Sequence, residues 1–428
     1  MKISIIGTGY VGLSTGVGLA KNGNHVICFD IVKEIVQKIN SKEPTFHEPL
    51  MPEMLEDAVS RGLLKATLDL DFAITNSDVT FLSVPTPSKA DGSIDVSYIR
   101  EASISLGKAL KKRGYHVVVV KSTVLPETTE TVVLPELEKF SGKKCGKDFG
   151  LCMNPEFLRE GSALNDFLKP DRIIIGEFDK KSGDVLNDLY KGFNCPIIRT
   201  NIKTAEMIKY VSNSFLATKI SFSNEMGNLC KRIGIDVYEV MRGVGLDKRI
   251  SPHFLNAGIG FGGSCFPKDL NALISKARNL GETPIIIESA MKTNYNQPLR
   301  IIQLLKSKMN LKGKKISVLG LAFKADTDDI REAPSIKIVG KLIEEGAVVS
   351  AYDPKAIKRF SEKYPQISYT KTPRECLKDS DACLILTDWE EFKNLNETDF
   401  NTMRNRIIIE GRKVLNPKNV SKFEGVCW

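Results

Sequence analysis

The sequence lacks any apolar run approaching the roughly 20 residues that a membrane-spanning helix needs, so no membrane partner is expected. It also lacks CxxC pairs. Its nine cysteines are scattered without a repeated spacing, which argues against a disulfide framework or a zinc site. No metal is expected, and a reducing compartment, the cytoplasm, is. Basic residues exceed acidic ones, 61 to 52, for a formal charge of +9, yet no basic cluster interleaves with aromatics. A solvated lysine-rich surface explains that excess better than nucleic-acid binding does, and part of it suits an anionic ligand. There is no repeat at solenoid period and no low-complexity tract. The opening MKISIIGTGY reads as a strand and a glycine loop rather than a signal peptide.

What is present is ordinary globular composition, 42% hydrophobic and 26% charged over 428 residues. That is too much chain for one core, so two or three domains are expected. Short β-branched runs (KISIIG, HVICFD, VTFLSV, HVVVVKST, FGLCMNP, RIIIG) alternate with helical stretches such as 95–113 and 127–139. This alternation predicts an α/β fold with a Rossmann-like, doubly wound parallel sheet at the N-terminal end. Near residue 200 the pattern changes to one long helix, from about Asn201 to Gly234, with Lys231 and Arg232 in its last turn. Roughly thirty residues span about 45 Å, a spine and a plausible dimer contact. Helix continues to about 310. Alternation then returns (KISVLG, a helix near 334–345, AVVSAYDP, ACLILT, RIIIEG), predicting a smaller Rossmann-like α/β domain. The expected parts are a dinucleotide-binding domain at 1–200, a helical dimerisation domain at 201–312 and a further α/β domain at 313–428.

Gly7-Thr-Gly9-Tyr10-Val11-Gly12 follows a strand and opens a helix. The first glycine permits the tight turn, the second lets a pyrophosphate approach the backbone, and the third lets helix and strand pack closely. Helix N–H groups then face the phosphates. Asp30 ends the second strand, where a carboxylate accepts from a ribose 2′-OH and repels a 2′-phosphate, so NAD is favoured over NADP. VPTP (84–87) and KSTV (121–124) follow strands too. Thr86 and Thr123 are thus placed to face cofactor or substrate, or else to cap the next helix.

GFGGSCFPKD (260–269) puts Cys265 behind a glycine-rich turn and just before a predicted helix, with Lys268 and Asp269 next. A thiol near a helix N-terminus and a lysine ionises more easily than a free one, and a thiolate is a good nucleophile. Asp269 is well placed to cap a helix over 270–280 ending at Gly281. NPEFLREG carries Glu156 and Glu160 at i and i+4, on one side if the turn is helical. Lys209 and Asn213 share that spacing on the long helix; such a lysine polarises an alcohol and stabilises an oxyanion. A hydride acceptor beside a nucleophilic thiol points to oxidation of an aldehyde through a thioester.

GTGYVG, Asp30, VPTP, KSTV, NPEFLREG, KYVSN, GFGGSCFPKD and FKADTDDIRE, in this order across almost the whole chain, resemble the UDP-glucose/GDP-mannose dehydrogenase family. PDRIIIG (170–176) is similar to its UDP-glucose branch. The resemblance implies a four-electron oxidation of the sugar C6 hydroxyl to a carboxylate, UDP-glucose to UDP-glucuronate, with two NAD reduced in turn. Cys265 would trap the aldehyde as a thiohemiacetal that becomes a thioester. Lys209 would steady the oxyanion, Asn213 and Thr123 would position the reacting oxygen or water, and Asp269 and Glu156 would assist hydrolysis. The resemblance further implies that Glu156, Phe157, Leu158, Arg159 and Glu160 line the sugar nucleotide, with Glu160 also near the nicotinamide. Phe254, Leu255, Asn256, Ala257, Gly258 and Gly262 would contact substrate through the backbone, as would the Lys324 side chain. Lys268 and Arg331 would reach NAD, and Arg249 would reach substrate across a dimer interface. Ile35 departs from the family, many of whose members carry Lys or Arg there; Lys33 is the nearest cation. A homodimer through the long helix, or a higher oligomer, is implied.

Other readings keep parts of this pattern. A two-electron hydroxyacid dehydrogenase explains residues 1–235 but leaves Cys265 and the last domain without work. A silent NAD and nucleotide sensor predicts no turnover. Within the enzyme class, GDP-mannose or a UDP-N-acetylhexosamine is the alternative substrate.

Overall fold

The computed structural model describes all of residues 1–428, and the chain forms two compact units, Met1–Ser212 and Asn213–Trp428. Each has its own apolar core, one built around Ile3, Ile5, Phe81 and Val119, the other around Ile316, Val318, Leu384 and Ile409. Both are α/β, as the alternation of β-branched runs with amphipathic helices predicts.

The first unit holds an eight-stranded sheet: β1 (Lys2–Ile6), β2 (His25–Phe29), β3 (Leu64–Thr67), β4 (Val79–Leu82), β5 (Val117–Val120), β6 (Gly150–Met153), β7 (Ile173–Glu177) and β8 (Ile197–Asn201). The order is 3-2-1-4-5-6-7-8. Strands β1 to β6 are parallel; β4, β5 and β6 are buried along their whole length, hence their largely apolar sequences, whereas the edge strand β3 exposes Lys65. The order reverses between β1 and β4, which opens the crevice where ligands of such sheets bind. The last two strands depart from an all-parallel sheet, because β7 runs antiparallel to β6. The chain between them stays at the carboxyl edge of β6, where it forms the NPEFLREG segment and a short helix, Ala163–Leu168. The helix expected over 127–139 starts as a π-helical turn, Thr129–Val133, and continues as Leu134–Ser141.

The long helix is continuous from Ile202 to Ile233, and Gly234 follows it in the left-handed conformation that ends helices. The second unit has a parallel six-stranded sheet: β9 (Lys315–Leu319), β10 (Val348–Tyr352), β11 (Ser368–Tyr369), β12 (Ala382–Ile385), β13 (Ile407–Glu410) and β14 (Glu424–Gly425), in the order 11-10-9-12-13-14. No helix is long and apolar enough to cross a membrane, and none of the nine cysteines is in a disulfide.

Candidate active site

The glycine loop is built as its spacing predicts. Gly7 has φ +87°, and a Cβ on it would meet the Ser83 carbonyl oxygen at 2.8 Å; a Cβ on Gly12 would meet the Gly7 oxygen at 1.9 Å. A Cβ on Gly9 would meet nothing within 4 Å, so open space faces the loop where a pyrophosphate would lie. The helix Tyr10–Lys21 has no side-chain cap and no acidic residue in its first turn, which leaves its N–H groups to an anion. Asp30 accepts from the N–H (2.9 Å) and hydroxyl (2.6 Å) of Thr8 and from Val32 N–H (3.0 Å), and stays partly exposed. These features fit NAD: the loop would take its phosphates and Asp30 its adenosine ribose. Val11 is half-buried in the helix's first turn, Lys33 is exposed, and Ile35 packs against the core.

Tyr10 does more than follow the glycine. Its hydroxyl donates to Glu48 and accepts from Gly161 N–H, and Glu48 accepts from Gly161 and Ala163 N–H groups. Burial and the Glu48 carboxylate push the Tyr10 hydroxyl well above its ordinary pKa. The buried Glu48 thus ties the dinucleotide loop to the end of NPEFLREG. No motif singles it out in the sequence.

Thr86 and Thr123 come together, but cap no helix. The Thr86 hydroxyl donates to the Thr123 carbonyl (2.9 Å), and Ser122 donates to Val84 oxygen (2.7 Å). Residues 154–160 are not helical, so Glu156 and Glu160 do not share a helix face; Pro155 and the return toward β7 interrupt a helix there. Glu156 instead forms a buried ion pair with Lys209 (2.9 Å), its other oxygen accepting from Leu158 N–H (2.6 Å). Breaking such a pair costs about 3–5 kcal/mol, because an uncompensated charge is left behind. The Phe157 ring lies under Arg172 (4.0 Å) and near Lys209 (5.5 Å). Arg159 is forked onto Asp166, and Glu160 lies close enough to raise the Tyr10 pKa further.

In the second unit Cys265 is itself the N-cap of a helix, Phe266–Asn279. Pro267 is tolerated in the first turn, where its missing N–H costs nothing, so the helix begins before Asp269. The expected Asp269 cap is therefore corrected: Asp269 is inside the helix, with its N–H bonded to the Cys265 carbonyl (2.9 Å). Its carboxylate is 1% exposed and accepts from Asn213 Nδ2 and Lys268 Nζ, both at 2.6 Å. Asn213 and Asp269 thus meet, and Lys268 is ion-paired. Gly281 ends the helix as expected, at φ +82°.

The loop before the thiol is braced on several sides. The Asn294 amide exchanges two hydrogen bonds with the Phe261 backbone, Arg412 donates to the Gly260 carbonyl, and Gly263 N–H donates to the Arg331 carbonyl. A Cβ on Gly262 would meet the Glu332 oxygen at 2.4 Å. Asn294 and Arg412 carry no sequence signal, since each acts from more than thirty residues away along the chain. The Gly258 N–H and carbonyl are bound by Asn224 and Gln297, and the Ala257 carbonyl accepts from Tyr238. Phe254 has φ +62° and its ring meets Phe266; Leu255 is buried and Asn256 exposed. Arg331 is forked onto the buried Asp329, Lys324 is half-buried beside Phe323, and Arg249 is exposed and paired with Asp247.

Residues 1–194 match the NAD binding domain of the UDP-glucose/GDP-mannose dehydrogenase family, residues 203–296 its central domain and 317–417 its UDP binding domain. A UDP-glucose 6-dehydrogenase of Haloferax volcanii is 43% identical over an alignment of 432 residues covering 100% of both chains. One from Bacillus subtilis is also 43% identical, over 96% of this chain and 89% of its own. The solved structure of a UDP-glucose dehydrogenase from Pyrobaculum islandicum matches with a TM-score of 0.94 at 40% identity, over 100% of this chain and 97% of that one. With a loop shaped for a dinucleotide and likeness along its full length, the chain belongs to the UDP-glucose/GDP-mannose dehydrogenase family, and is an NAD-dependent oxidoreductase.

Proposed function

We propose that the chain oxidises the C6 hydroxyl of UDP-glucose to the carboxylate of UDP-glucuronate through a thioester on Cys265. The observation that carries this reading is the placement of Cys265: a half-buried N-cap whose helix has Lys268 and Asp269 in its first turn, where Asn213 of the long helix donates to Asp269. Elsewhere burial pushes the thiols of Cys28, Cys152 and Cys427 up to about 12, which leaves them inert at neutral pH.

Bound NAD supplies the hydride acceptor for each of two successive oxidations. Lys209 polarises the C6 oxygen and steadies the negative charge that grows there, with Glu156 holding its ammonium in place. The Cys265 thiolate adds to the aldehyde carbon to give a thiohemiacetal, which keeps the half-oxidised sugar attached. Loss of a second hydride and the hydroxyl proton leaves the thioester. Water then adds to its carbonyl, the C–S bond breaks, and the thiol and the acid form; Asp269 or Glu156 takes the water's proton. Asn213 and Thr123 orient the oxygen or the water.

The binding roles we propose follow the same reading. NAD occupies 1–200, with Thr86, Glu160, Lys268 and Arg331 adding to Asp30 and the glycine loop. The UDP-sugar uses 313–428, including Lys324, together with Glu156 to Glu160, Phe254 to Gly258 and Gly262. The central part, 201–312, supports a homodimer. Val211, Phe215, Phe222, Leu229 and Ile233 are exposed and fall on one stripe of the long helix, the pattern of a helix seam. Arg249, exposed beside it in sequence, would serve the partner's substrate. Nine free cysteines suit the reducing cytoplasm.

A nucleotide-sugar panel at fixed NAD tests this. UDP-glucose should give two NADH per sugar, and Cys265→Ser should release no uronate. One NADH per sugar would replace the reading with a two-electron dehydrogenase; turnover of GDP-mannose or a UDP-N-acetylhexosamine instead would replace the substrate.

A further inference from the structure

One buried cation takes no part in the roles above. Lys121 begins the KSTV turn directly after β5, and Asn154 directly follows β6. These strands are parallel neighbours, with Val120 opposite Met153, and Asn154 N–H continues the ladder to the Val120 carbonyl (2.9 Å). The register therefore sets Lys121 beside Asn154, two residues before Glu156. Lys121 is 6% exposed, and its ammonium donates to Asn154 Oδ1 (2.8 Å), which also accepts from the Tyr190 hydroxyl (2.7 Å). Asn154 is neutral, so this contact leaves the charge of Lys121 uncompensated.

We propose that Lys121 is a positioning residue for the oxidation: a second buried ammonium that acts through the Glu156–Lys209 pair and keeps Lys209 ready to release and retake a proton. Burial is the main influence on the Lys121 amine; Glu156 favours its charged form and Lys209 opposes it, and the balance brings it down to about 8. The coupling is mutual. A charge on Lys121 that is disfavoured by Lys209 disfavours the charge on Lys209 equally. Two ammonium groups thus feel one carboxylate, Lys209 through a direct ion pair with Glu156 and Lys121 from beside Asn154. Such a pairing makes a lysine a better proton donor to a forming alkoxide and a better acceptor from an alcohol than a lysine with a carboxylate to itself. The Tyr190 hydroxyl is held protonated by burial, and Glu206, one turn before Lys209, uses both oxygens on the N–H groups of Glu127 and Thr129.

The inference rests on the role proposed for Lys209, and pH profiles of kcat/KM for the nucleotide sugar at saturating NAD test it. In Lys121→Met the kinetic pKa on the basic side should rise by about half a unit or more, because Lys209 loses its like-charged neighbour. Lys121→Gln, which keeps a donor for Asn154 without the charge, should shift the same way and carries the test if the methionine variant is poorly soluble. Lys121→Arg, charged at every accessible pH, should leave that pKa unchanged or lower it. Lys121→Met should also unfold at the same or a higher temperature at pH 7, since it removes a buried charge; a purely structural lysine would show the reverse. Superimposable profiles for the neutral variants, or an arginine variant that behaves like them, overturn the assignment. If this happens while the wild-type chain makes two NADH per sugar, only the role of Lys121 falls. A wild-type chain that makes no NADH from any nucleotide sugar overturns the parent reading along with it.

Discussion

The two sheets place the same residue at the same point and use it in opposite ways. In each, the first strand ends in a left-handed glycine, Gly7 at φ +87° and Gly320 at φ +95°, and an aspartate follows the second strand, Asp30 and Asp353. Asp30 is partly exposed and takes three hydrogen bonds from Thr8 and Val32, so acceptor capacity remains for a ribose hydroxyl. Asp353 is 1% exposed. It accepts from the N–H groups of Leu321, Ala322, Lys355 and Ala356, and from Trp389 Nε1. Nothing is left for a ligand. The glycine spacing diverges in step: Ala322 and Ala325 stand where Gly9 and Gly12 stand in the first unit, and the next helix begins only at Pro334. A shared architecture thus carries a cofactor site in one unit and a structural knot in the other. The difference lies in whether a helix N-terminus is kept open or a tryptophan closes the turn.

Removing the knot should have the largest effect. Asp353→Ala strands five donors, four of them buried, and urea unfolding should show a loss of about 4 kcal/mol or more, with the preference for NAD over NADP unchanged. A loss below about 1 kcal/mol would mean that the two aspartates are not divided between structure and ligand.

The first unit has a knot of its own, which sharpens the contrast with Asp30. Glu206 is fully buried and holds the loop after β5, including Glu127 in its left-handed conformation (φ +82°). Burial lifts its carboxyl from 4.5 to about 7. The folded chain therefore keeps a proton that the unfolded chain loses between these values. Its contribution to stability is full below pH 4.5, falls as pH rises to 7, and by then has dropped by about 3 kcal/mol. Glu206→Gln should flatten that slope in unfolding curves taken across this range; an unaltered slope would remove Glu206 as its source.

Asp30→Ala should cost little stability but reduce NAD selectivity by about 10- to 100-fold in the ratio of kcat/KM values for NAD and NADP, the worth of one charge-assisted hydrogen bond. An unchanged ratio would show that Asp30 does not read the ribose. The smallest effect is expected for Trp389→Phe, which withdraws one of the five donors from Asp353 while keeping most of the packing. About 1 kcal/mol should be lost, and a loss as large as that of Asp353→Ala would shift the weight of the knot onto the indole.

Legibility in the sequence followed the distance over which each feature is decided. Gly7, Gly9, Gly12 and Asp30 were readable because glycine conformations and strand ends are local. So was the long helix, whose end is marked by Lys231, Arg232 and Gly234. The start of the thiol helix was misplaced by a few residues, since Pro267 fits a first turn as well as it fits a loop. The i, i+4 spacing of Glu156 and Glu160 puts them on one side only in a helical turn, and residues 154–160 form none, because Pro155 and the return to β7 interrupt it. Glu206 and Asn294 carry no signal, and KSTV shows nothing of the burial of its Lys121; their partners lie 77–79, 33 and 33 residues away.

The sequence by itself determined the α/β alternation, the dinucleotide turn and the position of Cys265 at a helix start, because each depends on backbone preferences within a few residues. The tertiary structure alone decided which carboxylates are open and which are consumed. It also decided that Lys121 and Lys209 are buried, one on Asn154 and the other on Glu156, and that two similar sheets differ in what their aspartates bind. Burial and hydrogen-bond saturation are properties of what the fold brings alongside a residue, and no local pattern encodes them.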